Sequence, residues 1–273
     1  MSAPSASIRD LDRVEDRVRL HRQARDSAVL IVEGRADETL LSQVFTHTEI
    51  FRAGTRSSVV RAAAAIDEWS LLRVLCIADR DFEESPAATD LPECLVFYDN
   101  ADLEAMLIDL GALRVLLLEY ADEAKLTKWG GPEAVSRHLM AEARRVAQLR
   151  RANSRDALGL DFKNVDLGSK CDPISLTVDI AKYGAALRNA NLRNGRECTL
   201  SEKEIASFAD KALTPFFRGK DLLALLAVAF RRALGSRPLS VSEVSLLEGA
   251  LRQSGVLLLV RSEWTARISR RLM

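Results

Sequence analysis

Aromatic side chains are scarce, at 5% of 273 residues. That scarcity argues against a base-stacking sheet of the RRM or OB kind. Net charge is also missing: 39 Lys and Arg balance 39 Asp and Glu. A basic coat is thereby excluded, and only local basic patches remain for nucleic acid. The four cysteines, Cys76, Cys94, Cys171 and Cys198, are scattered and form no CxxC pair. Structural zinc and a disulfide framework are therefore not expected. The longest apolar run, Leu222 to Phe230, is far short of the ~20 residues that span a bilayer. The residues before Val29 are rich in Asp and Arg and hold no apolar h-region, so no signal peptide is expected. A cytoplasmic protein without membrane contact is the expectation. Neither a Walker loop nor a GxGxxG turn occurs, which argues against P-loop ATP binding and Rossmann-type NAD binding. His21, His47 and His138 are isolated and read as surface or packing residues.

What is present is an ordered alternation. Ala28 to Val32 is a continuous apolar run of strand length, suited to burial on both faces. Ile50 to Ala53, Leu72 to Ala78 and Cys94 to Tyr98 are three further strand candidates. Helical patterns separate them, with Leu40, Leu41, Val44 and Phe45 on one face of the first and an Ala-rich stretch from Ser57 to Trp69 as the second. Asp102 to Leu110 reads as a helix after the fourth strand. Strands alternating with helices imply βαβ units and a parallel sheet. From residue 113 onward the pattern is helical. Residues 133–152 form one long candidate helix, residues 174–189 follow Pro173 as a helix start, and Ser201–Glu204 and Ser240–Glu243 read as capping boxes. Asp221 to Leu234 is apolar and closed by Gly235. Ile8, Leu11, Val14 and Val18 recur at helical spacing, giving an amphipathic N-terminal helix. The expected division is an N-terminal helical extension at 1–25, an α/β domain with a parallel sheet flanked by helices at 26–112, and a mostly helical domain at 113–273.

The chemistry falls where strands end. Three of the four strand candidates end in acids: Glu33, then Asp79 and Asp81, then Asp99. Sites in open parallel sheets form at the carboxyl ends of strands. Acids gathered there repel one another and raise each other's pKa unless a cation intervenes. Carboxylates and water suit Mg²⁺ or Mn²⁺. The stretch from Asp79 to Glu104 holds nine acids against Arg80 alone. Asp37, four residues after Glu33, is either a further metal ligand or a partner of a helix N-terminus. Arg52 and Arg56 near the second strand's end, Lys220 before an apolar helix, and Arg144 and Arg145 on the long helix are candidate phosphate or nucleic-acid contacts.

Val29 to Gly34 with Asp37 beyond, then Arg52-Ala53-Gly54, then Val74 to Asp81 together resemble the TOPRIM domain, which topoisomerases, bacterial primases and overcoming-lysogenisation-defect nucleases share. The resemblance covers residues 28–110 or so. Tyr98 to Glu104, Leu160 to Asn164 and Gly219 to Leu223 resemble, more loosely, TOPRIM-like bacterial proteins encoded beside ABC/SMC-like ATPases, including the nuclease effectors of PARIS-type anti-phage systems. The resemblance implies a Mg²⁺-dependent nuclease acting on DNA or RNA, with tRNA among the candidates. Glu33 would be the general acid or base beside the metal, and Asp79 and Asp81 would hold it; from the acid cluster itself, Glu33 is also a candidate metal ligand, with Asp37, Asp99, Asp102 and Glu104 as further ones. The resemblance also implies an ABC/SMC-like ATPase encoded nearby as partner, with self-association on release. The alternative is a non-catalytic TOPRIM-like adaptor for that ATPase. A topoisomerase is disfavoured, since Tyr98, Tyr120 and Tyr183 are the only tyrosines and no DNA-gate domain is evident. A primase would need a zinc module.

Overall fold

The computed structural model describes residues 13–82, 91–195, 200–209, 214–238, 240 and 242–273. The chain forms two compact units. The first takes in the residues up to Arg80, residues 85–99 and 259–273; the second takes in 81–84 and 100–258.

The first unit is an α/β sheet. Strands β1 (Ala28–Val32), β2 (Thr48–Arg52), β3 (Val74–Ala78) and β4 (Leu95–Phe97) are all parallel, in the order β2-β1-β3-β4. Every residue of β1 and β3 is buried, whereas β2 is half-exposed along its length. The continuous apolar runs thus lie at the centre, covered on both faces, and the mixed run lies at an edge. Helices α2 (Arg35–Val44) and α3 (Arg56–Glu68) make the crossovers. Thr55 caps α3 by accepting a bond from the Ser58 N–H at 3.2 Å. Helix α1 (Val14–Ala24) packs on α3 with Val14 and Val18 buried, and Glu15 bonds Arg61 at 3.1 Å. Val14 and Val18 therefore cover the core; Ile8 and Leu11 lie outside the described residues.

The last fifteen residues, 259–273, belong to the same unit as the sheet. Helix α12 (Glu263–Leu272) carries Trp264, which is fully buried. Its indole N–H donates to the Phe97 carbonyl at 3.1 Å, and its ring stacks on Tyr98 at 5.5 Å. A tryptophan buries more apolar surface than any other side chain and needs a partner for its N–H; both requirements are met beside β4.

The second unit is helical: α4 (Leu103–Asp109), α5 (Ala112–Tyr120), α6 (Glu123–Lys128), α7 (Pro132–Arg155), α8 (Ile180–Arg193), α9 (Glu202–Ala209), α10 (Gly219–Arg231) and α11 (Val244–Val260), whose last two residues belong to the first unit. Its core is α10, where Leu222, Leu223, Leu225, Leu226 and Phe230 are buried. Gly219 lets this helix start against α4: a Cβ there would stand 2.3 Å from the Glu104 Cβ.

Two helix starts differ from expectation. Residues 173–179 are not helical. Asp172 accepts bonds from the N–H groups of Ile174 and Ser175, Leu176 adopts φ +57°, and Cys171 bridges Val178. This side-chain-stabilised turn outcompetes the helix, which begins at Ile180 with Asp179 as its cap. The Ser240–Glu243 box is likewise not a helix cap, because α11 starts at Val244 and Ser242 bonds back to the Pro238 carbonyl. The Ser201–Glu204 box forms in both directions.

Candidate active site

The strand order places the carboxyl ends of β1 and β3 side by side. From β1 the chain crosses to β2 on one side, and β3 lies on the other, so the connections diverge between β1 and β3. Such a divergence opens a crevice at the carboxyl edge. Glu33 follows β1 and Asp79 follows β3. The Glu33 Oε1 accepts the Asp79 N–H at 2.8 Å. The two residues expected to share an edge are therefore joined directly, although 46 positions apart. Both are half-buried, which leaves room for water and ligand.

Neighbouring loops hold this corner. The Gly54 N–H donates to the Glu33 carbonyl at 2.9 Å, and Gly54 takes φ +90° there, a conformation that favours glycine. Arg56, at the start of α3, donates from Nε to the Asp79 carbonyl at 2.9 Å, and its guanidinium lies 6.0 Å from the Phe97 ring centroid. Arg56 therefore stands at the corner, as expected from its place after β2. Arg52 pairs with Glu38 at 3.0 Å and braces α2.

Asp81 belongs to the second unit. Its N–H donates to the Ala101 carbonyl at 2.9 Å, and it adopts φ +52°. Aspartate tolerates that left-handed region better than most residues, at some backbone cost. It lines a cavity of about 210 Å³ with Arg150, Asn153, Phe162 and Arg218. Composition and spacing did not single out Arg150 or Arg218 for this place; only the fold brings helix α7 and the start of α10 together.

The other acids have structural partners. Asp37 accepts the Gly34 N–H on Oδ2 at 2.9 Å and the Tyr98 hydroxyl on Oδ1 at 2.7 Å, which is its helix-start role. Asp99 pairs with Arg267 at 2.5 Å. Glu104 pairs with Arg252 at 2.6 Å. Asp102 caps α4 through the Ala105 N–H at 2.8 Å and accepts the Gly219 N–H at 3.1 Å on each oxygen. The expected acidic field between Asp79 and Glu104 is thus relieved at three of its acids by protein donors, two of them arginines more than a hundred residues away. Sequence distance hid those countercharges. The candidate nucleic-acid cations are similarly engaged: Lys220 with Glu248 at 3.5 Å, Arg145 with Glu142 at 2.9 Å, and Arg144 with the Pro215 carbonyl at 3.3 Å.

Asp102 carries a consequence for pH. Burial first, and the Glu104 charge second, push its carboxyl up from 3.8 to about 7, against the bonds from Ala105 and Gly219. The folded state then binds this proton more tightly than the unfolded state does. Its stabilising effect is complete at acid pH and is lost as pH rises from about 4 to about 7. Asp102→Asn keeps an oxygen for both N–H groups and is expected to flatten this part of the stability profile. Urea midpoints at pH 5 and pH 8 read it; an identical slope in variant and wild type would contradict a protonated Asp102.

Among the described residues, no three His, Cys, Asp or Glu side chains lie together in a ligating arrangement. Magnesium requires less, since one or two carboxylates suffice when water and substrate phosphate complete the octahedron. Glu33 and Asp79, held together by their hydrogen bond, offer oxygen donors only, which suits that ion class.

The fold and its edge define an α/β protein with a four-stranded parallel sheet flanked by helices and an acidic pair at the topological divergence. No protein-family model matches the chain, and no curated protein shows significant similarity to it. No helix among the described residues is long and apolar enough to cross a membrane.

Proposed function

We propose that this chain is a TOPRIM-like, Mg²⁺- or Mn²⁺-dependent nuclease whose reacting groups are Glu33, Asp79 and Asp81. The observation that carries the reading is the Glu33 Oε1 bond to the Asp79 N–H at the divergence of the sheet. That bond fixes one carboxylate oxygen and so orients the group. Glu33 then serves as proton acceptor for an attacking water or as donor to the leaving oxygen. Asp79 and Asp81, two residues apart in the chain, are the proposed ligands. A divalent cation bound there would polarise the phosphate and stabilise the leaving oxygen. Arg56, tied to the Asp79 carbonyl, supports the corner and brings positive charge to it. In the second unit, Asp81 lines a cavity together with Arg150, which is already paired with Asp221, and with Arg218, a residue type that suits phosphate oxygens. The biological role proposed with this chemistry is an anti-phage effector restrained by an ABC/SMC-like ATPase encoded nearby.

A second reading, a non-catalytic adaptor for that ATPase, is favoured by one observation: Asp37, Asp99, Asp102 and Glu104 all serve as caps or ion-pair partners. The purified chain, with Mg²⁺ or Mn²⁺, against plasmid, single-stranded DNA and total tRNA, alone and with the ATPase, decides between them. The nuclease reading expects metal-dependent cleavage of at least one substrate that chelation stops. No cleavage under any of these conditions, with a stable ATPase complex, would establish the adaptor.

A further inference from the structure

The second unit carries a basic groove remote in sequence from the strand-end acids. Two cavities, of about 590 and 650 Å³, both touch Pro173 and Arg232. Arg231, Arg232 and Arg237 line the first; Lys125 and Lys128 join Arg232 along the second. Five cations therefore line two adjoining cavities, and no carboxylate lines either of them among the described residues.

The whole chain is neutral, and several exposed cations elsewhere pair with acids, as in Arg114–Glu133, Lys182–Asp179 and Lys220–Glu248. None of the five groove cations is in an ion pair among the described residues. Lys125 donates to the Gly235 carbonyl at 2.9 Å, and Arg237 to the Tyr120 carbonyl at 3.0 Å. Those bonds fix two of the cations in place without neutralising them. Two acids close to these cations in sequence accept bonds from backbone N–H groups. Asp122 caps α6 through the Lys125 N–H, and Asp172 accepts from Ile174 and Ser175.

Trp129 adds an aromatic surface. It is half-buried in the wall of the second cavity and held against the His138 ring at 5.5 Å. Ser169 and Ser236 supply hydroxyls in the first cavity.

From these residues we infer that the groove binds single-stranded nucleic acid. Unpaired cations along a depression match a phosphodiester backbone, and a fixed indole in its wall matches an unstacked base. A lipid surface fits less well, because the cations line a concavity and Trp129 is set into its wall rather than projecting from it. The inference does not depend on the nuclease reading, since binding needs neither Glu33 nor a metal.

The test is fluorescence anisotropy of a labelled twelve-nucleotide single strand with the full chain in EDTA, over a salt series. Two cations removed by Lys128→Gln with Arg231→Gln are expected to weaken binding roughly tenfold. They should also lower the slope of log affinity against log salt by about 1.4, at ~0.7 per phosphate contact on a single strand. Lys128→Gln alone, on an exposed side chain, is expected to lower it by about 0.7. Oligonucleotide should quench the wild-type tryptophan emission, and Trp129→Phe should remove that quenching while keeping most of the affinity. Unchanged affinity and slope in the double variant would overturn the inference. So would binding to phosphatidylserine vesicles with no binding to the oligonucleotide. Loss of cleavage without loss of this binding, as in Glu33→Gln, would leave the groove assigned and count only against the catalytic reading.

Discussion

Glu33→Gln is expected to lower metal-dependent cleavage by at least a hundredfold while leaving the protein folded. The reason lies in the bond that the Glu33 side chain makes to its neighbouring strand end. Its Oε1 accepts the Asp79 N–H at 2.8 Å. A glutamine carbonyl accepts the same bond in the same place, so the corner between β1 and β3 survives. What is lost is the capacity to take or give a proton, which in general acid–base catalysis contributes roughly 10²–10⁴ in rate. Matched preparations should show the same melting temperature within a few degrees and a collapsed rate. Unchanged cleavage in Glu33→Gln would remove this residue from the chemistry. Asp79 provides a contrast: Asp79→Asn keeps the backbone N–H that Glu33 uses, and its effect should fall on metal affinity.

The second large effect is structural. Asp221→Ala is expected to destabilise the helical unit by about 3–5 kcal/mol, the range for orphaning one member of a buried ion pair. Arg150 and Asp221 form two parallel bonds of 2.6 and 2.7 Å, with side chains 13% and 7% exposed. Arg150 also lies over the Phe162 ring at 4.4 Å. Burial alone would lower the Arg150 pKa, but the Asp221 charge and its hydrogen bonds outweigh that and raise it. Without Asp221 a guanidinium remains buried with no counterion. The melting temperature should drop by roughly 10 °C. Replacing both partners, as Arg150→Met with Asp221→Leu, should recover most of the loss, because the uncompensated charge is gone. A fall of less than 1 kcal/mol in urea unfolding of Asp221→Ala would show that solvent reaches Arg150 more freely than its packing indicates.

This pair also explains two segments, Leu160 to Asn164 and Gly219 to Leu223. Phe162, in Leu160 to Asn164, is the surface on which Arg150 rests. Asp221, two residues after Gly219, is its counterion, and Gly219 is required by the close approach of α4. Periodicity could place both segments near helices. It could not show that they meet, because the meeting depends on how α7 and α10 pack.

The sheet was legible for a simple reason. Its central strands are buried on both faces and therefore read as unbroken apolar runs, each stopped by an acid at the edge where function concentrates. Glu33 and Asp79 could be paired from that logic alone. The roles of Asp99 and Glu104 could not, because their partners Arg267 and Arg252 arrive from 168 and 148 positions away. The return of α12 to the sheet was hidden for the same reason: its amphipathic pattern fits any apolar surface, and only the Trp264 bond to Phe97 selects this one. The basic groove was invisible in a chain whose charges sum to zero, since its lysines and arginines come from two stretches about a hundred residues apart.

The carboxyl edge between β1 and β3 is the proposed divalent-cation site, and Mn²⁺ binding followed by electron paramagnetic resonance tests that assignment. Titrating the apo protein with Mn²⁺ should show loss of the free-ion signal as the ion binds, with excess Mg²⁺ restoring the signal by competition. Asp79→Asn should abolish or strongly weaken that binding while circular dichroism and melting stay close to wild type. Wild-type protein that leaves the Mn²⁺ signal untouched, or Asp79→Asn that binds as tightly as wild type, would contradict the account.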